Sequence, residues 1–224
     1  MIHPIVLSIL SAFAVAICAI GVENSWQQGA MYHGIAWGAG LLGAIVLSTV
    51  PVWRNRLDQK RSAARTCIKN ALMACGAAYG APGRHVRANV MLTKNGRRRV
   101  DSATAFNMSS DSDFDLEIDA TAGVSGEAYS QRVTTYGDLE LALQPGGPTW
   151  GLQPGERAKV RTSLKSILSV PIFDPDEPET GPLLGTLQVD SDLTFTEMQF
   201  DSPERRAVAE RFADVIALLL KAGR

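Results

Sequence analysis

Two long uncharged apolar runs constrain this chain more than any other feature of its 224 residues. Pro4 to Val22 reads PIVLSILSAFAVAICAIGV, and Gly34 to Trp53 reads GIAWGAGLLGAIVLSTVPVW. At about 1.5 Å of rise per residue, each reaches roughly 30 Å as a helix, the depth of a hydrocarbon core. A short polar loop, ENSWQQGAMYH, separates them. Trp26, Tyr32 and Trp53 stand near the ends, where amphipathic rings favour the headgroup layer. The pattern predicts a two-helix transmembrane hairpin over residues 1–53, with spans of about 4–22 and 34–53. A cleaved signal peptide fits less well: no basic segment precedes the first run, and Ile17 is too large for a lipoprotein cleavage site before Cys18.

The net charge of −1 conceals a strong asymmetry. No Lys or Arg precedes Arg54; residues 54–99 carry a net +11, and residues 100–224 a net −11. Arg54, Arg56, Lys60, Arg61 and Arg65 crowd the exit of the second span. By the positive-inside rule that end is cytoplasmic, and a two-pass hairpin returns the N-terminus to the same side. The expected location is therefore the inner membrane, with both termini cytoplasmic and lipid as a partner. Gly34 and Gly38 have GxxxG spacing, which suits close helix packing within the hairpin or between copies. No charge interrupts either span, so nothing indicates a transport path. Cys18, Cys67 and Cys75 have neither zinc-knuckle nor redox-pair spacing and are expected as buried or lipid-facing thiols.

Residues 54–80 read as a basic connecting helix with Leu57, Ala64, Cys67, Ile68, Ala71, Leu72 and Cys75 at three- and four-residue steps. Residues 81–224 follow as a cytoplasmic domain. HVRANVMLTKNGRRRVDSATAF predicts a β-hairpin turning at Asn95-Gly96. Lys94, Arg97, Arg98 and Arg99 around that turn read as a solvated or lipid-facing cluster rather than a phosphate site. With no interleaved aromatics, nucleic acid is not an expected partner. NMSSDSDFDLEID is an acidic lead-in to a strand, and Gly123 and Gly126 introduce a short helix. Trp150 sits in a Gly/Pro-rich loop, as a pocket lid or a plug for the core. Residues 166–173 and 183–190 form a second hairpin whose acidic loop holds Asp174, Asp176, Glu177 and Glu179, read as solvated. Ser202-Pro203 opens a last helix with Val208, Phe212, Val215, Ile216 and Leu219 on its apolar face.

Helix, hairpin, irregular segment, hairpin and helix describe an α+β fold around one antiparallel sheet. Three segments make it resemble a GAF domain: GVSGEAYSQRVTTYGDL, SILSVPI with LLGTLQVDSD, and FADVIALLL, in the family's order over roughly Lys60 to Lys221. That resemblance implies an antiparallel sheet flanked by helices, with a small-ligand pocket on one sheet face. The implied site residues are Ser125, Glu127, Tyr129, Arg132, Tyr136 and Trp150 over the pocket, and Ser166, Ser169 and Gln188 on adjoining strands. Arg132 and Arg161, beside the polar 125–136 segment, suggest an anionic or nucleotide-like ligand. The resemblance also implies dimers, or higher homo-oligomers, through the first and last helices.

No catalytic role is expected. Every cysteine precedes Gly76, which removes bilin attachment and a thiol nucleophile, and His85 is the cytoplasmic part's one histidine, leaving haem and metal without ligands. No phosphate loop or Ser/His/Asp set appears. The expectation is thus a membrane-anchored GAF-type sensor that binds an unknown small ligand and relays it by dimer rearrangement, through a separate signalling output protein. The alternative is a two-span membrane effector gated by the ligand, as in bacterial antiviral signalling.

Overall fold

The computed structural model describes residues 31–224 apart from 80–84, 101–103, 109–110, 112, 115, 145 and 179, with the side chains of 31–52 and Leu143 also outside the description. The predicted first span, 4–22, lies outside the described residues. The second falls on helix α1 (Met31–Ala78), with all its side chains but Trp53 outside them. Among the described residues no helix is long and apolar enough to cross a membrane. The chain divides into two compact units, Met1–Lys60 and Arg61–Arg224.

Within the second unit, the C-terminal end of α1 buries Ile68, Leu72 and Cys75, with Tyr79 just beyond it. Steps of four and three keep those residues on one side of a 3.6-residue helix. Cys67 corrects the thiol expectation: it is exposed, because it lies one residue, about 100° of rotation, off that stripe.

Strand β1 (Val86–Lys94) turns at Asn95-Gly96 into β2 (Arg97–Val100). Both turn residues have positive φ, 52° and 73°, as a two-residue hairpin turn demands. β3 (Glu117–Asp119), helix α2 (Gly123–Gln131), β4 (Thr135–Asp138) and the short helices α3 (Leu139–Leu143) and α4 (Pro154–Arg157) follow. β5 (Ser166–Phe173) and β6 (Leu183–Ser191) form the second predicted hairpin; α5 (Phe195–Met198) and α6 (Pro203–Ala222) complete the chain. All neighbours pair antiparallel in the order β3-β2-β1-β6-β5-β4.

One sheet face is covered by α1 and α6. Val86, Ala88 and Val90 of β1, Leu168, Val170 and Ile172 of β5, and Leu187 and Val189 of β6 pack there against both helices. α6 begins as expected, with Ser202 Oγ accepting from the Arg205 amide. Of its expected apolar face, Ile216 is buried and Val208, Phe212 and Leu219 pack against the core, joined by Ala209, Ala213 and Ala217; Val215 departs from the expectation at 46% exposed, and Leu218 is 59% exposed. Small alanines let the helix axis approach the sheet closely, which turns the bulkier Val215 outward. The Tyr79 ring meets Phe200 edge-on at 5.6 Å, and its hydroxyl donates to the Arg205 carbonyl, joining α1 to the start of α6.

Candidate ligand-binding site

Period-two alternation sends the other half of each strand to the opposite face, beneath α2. Two rows cross that face in register. One runs Arg87, Asp190, Ile167 and Gly137; the next runs Asn89, Gln188, Ser169 and Thr135. Gly126 lets α2 fold back on the Thr121 backbone just before it, and Gly137 of β4 lets Val124 of α2 and Trp150 approach the sheet. A Cβ on Gly126 would lie 2.1 Å from the Thr121 carbonyl carbon, and one on Gly137 2.8 Å from Val124 and 3.0 Å from Trp150. The glycines of the sequence motif are therefore contact points between backbone and cover.

A cavity of about 70 Å³ lies between this face and its cover, walled by Gln188, Asp190 and Ile167 from the sheet, Val124 and Ser125 from α2, and Trp150. A second, of about 90 Å³, shares the Trp150 and Leu152 walls and reaches Pro148, Arg157 and Arg161. Trp150 has φ 45°, left-handed geometry unusual for a bulky residue, followed by Gly151 at 69°. Its carbonyl accepts from the Gly123 amide at 2.6 Å, which fixes the indole's backbone to the start of α2.

The polar groups under α2 divide into paired and unpaired. Arg87, 1% exposed, grips both oxygens of Asp190 (2.8 and 3.0 Å) and both of Asp113 (2.8 and 2.9 Å), and reaches Asp111 at 2.7 Å. Arg161 joins from outside, at 3.2 Å from Asp111. Burial pushes the Asp190 carboxyl above its ordinary range, with Arg87 opposing. For Arg87 itself burial acts downward, but Asp190 and Asp113 outweigh it and raise its pKa. By contrast, Asn89 has neither amide atom paired among the described residues, and Ser169 Oγ and Thr93 Oγ1 are also unpaired. Gln188 is 8% exposed and lines the cavity, and its side-chain amide makes no hydrogen bond among the described residues. Fewer than a tenth of buried polar groups in native proteins go unpaired, so such a concentration on one patch is unusual.

The predicted site residues separate accordingly. Ser125, Trp150 and Gln188 meet at the cavity, with Ser169 beside Gln188 in register. Arg161 walls the second cavity. Tyr129 lies near the Arg98 guanidinium, 6.0 Å from ring centre to Cζ. The others are engaged elsewhere. Glu127 accepts from Gln131, and Ser166 Oγ donates to the Leu193 carbonyl. Tyr136 pairs with Leu168 on the helix-covered face and packs on Phe195. Arg132 donates to the Gly181 and Pro178 carbonyls and stacks over Phe173, clamping the β5–β6 loop. In that loop Asp174 and Asp176 both pair with Lys221.

Asn89, Arg87 and Arg98 were not among the expected site residues. Their signal was the alternation of polar Arg87 and Asn89 with apolar Val86, Ala88 and Val90. Arg98 corrects the solvated-cluster expectation: Arg97 and Arg99 are exposed, but alternation turns Arg98 inward until it is 0% exposed.

No protein-family model matches the chain, and no curated protein matches it. Among solved structures it is similar to the GAF domain of an Acinetobacter phosphoenolpyruvate-protein phosphotransferase, with 14% identity over 75% of this chain and 89% of that one and a TM-score of 0.51. It is also similar to part of a methyl-accepting chemotaxis protein (15% identity, 75% and 94% covered, TM-score 0.51). A third is the type II free methionine-R-sulfoxide reductase of Thermoplasma acidophilum (16% identity, 71% and 94% covered, TM-score 0.50). These likenesses establish the fold: a six-stranded antiparallel sheet with flanking helices, as in GAF domains.

Proposed function

We propose that the chain is a membrane-anchored, non-enzymatic sensor whose GAF-type unit binds a small ligand under α2 on the cytoplasmic side. The observation that carries this reading is the row Asn89, Gln188 and Ser169: Asn89 and Ser169 have buried polar groups unpaired among the described residues, and Gln188 between them lines the cavity. A ligand that pairs them regains the hydrogen bonds that folding leaves unmade.

Anchoring rests on the uncharged runs 4–22 and 34–53 and the basic residues after them. The same helix, α1, carries the second run and the core residues Ile68, Leu72 and Cys75, which supports a relay along its length. Met73 of α1 and Val215 and Leu218 of α6 are exposed apolar residues suited to a homodimer through those helices, with a separate protein taking the output.

Thermal unfolding of the full chain against a panel of small metabolites tests the binding. At ten times its Kd, a true ligand raises Tm by roughly 3–6 °C. Gln188→Leu abolishes that rise and leaves the ligand-free Tm nearly unchanged. If no metabolite shifts the wild-type Tm, the unit is a ligandless scaffold and the proposal falls.

A further inference from the structure

Arg98 is a buried cation that makes no ion pair among the described residues. Its side chain is fully enclosed, yet its three partners are neutral: Thr186 Oγ1 at 3.4 Å, the Asp119 carbonyl at 3.5 Å and the Ala122 carbonyl. Its Nε is buried without any partner among the described residues. Burial pulls its pKa down to about 10, with Tyr129 and Asp119 opposing.

The nearby carboxylates are committed elsewhere. Asp119 accepts from the Thr121 amide at 2.9 Å and the Thr121 hydroxyl at 2.7 Å through one oxygen, and makes no ion pair with Arg98. Asp113 and Asp190 are gripped through both oxygens by Arg87. The neighbouring backbone adds positive potential. Ala122, which receives the Arg98 hydrogen bond, is the N-cap of α2 with no side-chain cap, and the first turn of α2 has no acidic residue. Gly123, Val124 and Ser125 of that turn wall the cavity, as does Ile118, the register partner of Arg98.

We infer that Arg98 is the anion receptor of the pocket, and that the ligand is a small organic anion. Its carboxylate or phosphate meets the guanidinium and the first turn of α2. Its uncharged body lies against Trp150, Leu152 and Ile167, within reach of the Gln188 amide. This rests on the pocket reading above and moves the anionic contact from Arg132 and Arg161 to Arg98. A planar guanidinium with an unpaired N–H offers an anion a directed hydrogen bond as well as charge, where lysine offers only a point charge.

The test is thermal unfolding of the full chain titrated with inorganic phosphate and, separately, sodium acetate, at an ionic strength held with sodium chloride. At least one anion is expected to raise the wild-type Tm saturably, by roughly 3 °C or more at ten times its midpoint concentration. Preference for phosphate or acetate identifies the anionic group. Arg98→Met abolishes the rise, and Arg98→Lys moves the midpoint at least tenfold higher. Each variant is judged by its own anion-induced shift, so a change in baseline Tm does not enter; if the Met variant fails to fold, the Lys variant decides. The inference is overturned if neither anion gives a saturable wild-type shift, or if Arg98→Lys keeps the wild-type midpoint. A metabolite whose shift survives Arg98→Met but not Gln188→Leu also overturns it, while leaving the pocket reading intact.

Discussion

The two faces of the sheet are made from the same six strands and obey opposite rules. Against α1 and α6, the inward residues of β1, β5 and β6 are apolar apart from the hydrogen-bonded Ser166 and Ser191 at one end, and alanines on α6 close the gap. Under α2 the inward set includes Arg87, Asn89, Arg98, Thr186, Gln188 and Asp190, all nine-tenths or more buried. Apolar burial is worth roughly 25 cal/mol per Å², whereas an unpaired buried polar group costs about 1–3 kcal/mol. Stability therefore resides on the helix-covered face, and the cavity face retains polar groups that weaken the ligand-free fold. Such a division is expected where a rigid scaffold presents a binding surface.

The polar face is not uniform, and removing Arg87 should separate its two kinds of polarity with the largest effect. Arg87→Ala leaves Asp190 and Asp113 buried without their counter-charge, at a cost of about 3–5 kcal/mol. Denaturant unfolding should show that loss in full at neutral pH and less of it at pH 3, where the Asp190 carboxyl, held above its ordinary range by burial, is protonated. A loss below 1 kcal/mol at pH 7 would mean that the Arg87 cluster does not hold the acidic segment to the strands.

Legibility in the sequence follows the same division. The two hairpins, the turn at Asn95-Gly96 and the capped last helix all depend on local alternation and turn chemistry, so residues such as Ser202 and Gly96 announce them, whereas the pairing of β1 with β6 is non-local and was not legible. Ser125, Trp150, Ser169 and Gln188 were reached through the GAF resemblance. Arg132 and Tyr136 were misplaced because their partners, the Gly181 carbonyl and Phe195, are distant in sequence. Arg98 was hidden inside a run of three arginines: composition suggests solvent, and only the covering of that face by α2 makes the middle one buried. Charge signs are local, but burial is set by what packs on top.

On the helix-covered face, Cys75 allows an intermediate effect to be read by pH. Burial pushes its thiol from 9.0 to about 12, so the folded protein keeps the proton that the unfolded chain releases. An acid raised on folding contributes stability that is complete below pH 9 and lost as pH climbs toward 12. At pH 10 the loss is about 1.4 kcal/mol, one pKa unit's worth. Comparing wild type with Cys75→Ala between pH 8 and 10 by denaturant unfolding should show a steeper decline for wild type. Parallel curves would mean that the thiol is not sealed in the core. The exposed Cys67 supplies the contrast, since a thiol reagent should modify it in the folded protein while sparing Cys75.

The smallest expected effect is the sharpest for the comparison, because its sign is opposite to that of ordinary core substitutions. Asn89 is 1% exposed with both amide atoms unpaired among the described residues. Leucine has nearly the same shape and nothing to pair. Asn89→Leu should therefore stabilise the ligand-free protein by about 1 kcal/mol, the penalty of a buried unmade hydrogen bond. In a unit of this size that raises Tm by roughly 2–4 °C. The same substitution should diminish any ligand-induced shift, because Asn89 lies opposite Gln188 in the binding row. Gain in stability with loss of response is the signature of a residue kept for a ligand. A destabilised Asn89→Leu protein would show instead that the amide is paired within the fold, and that the two faces differ less than their composition suggests.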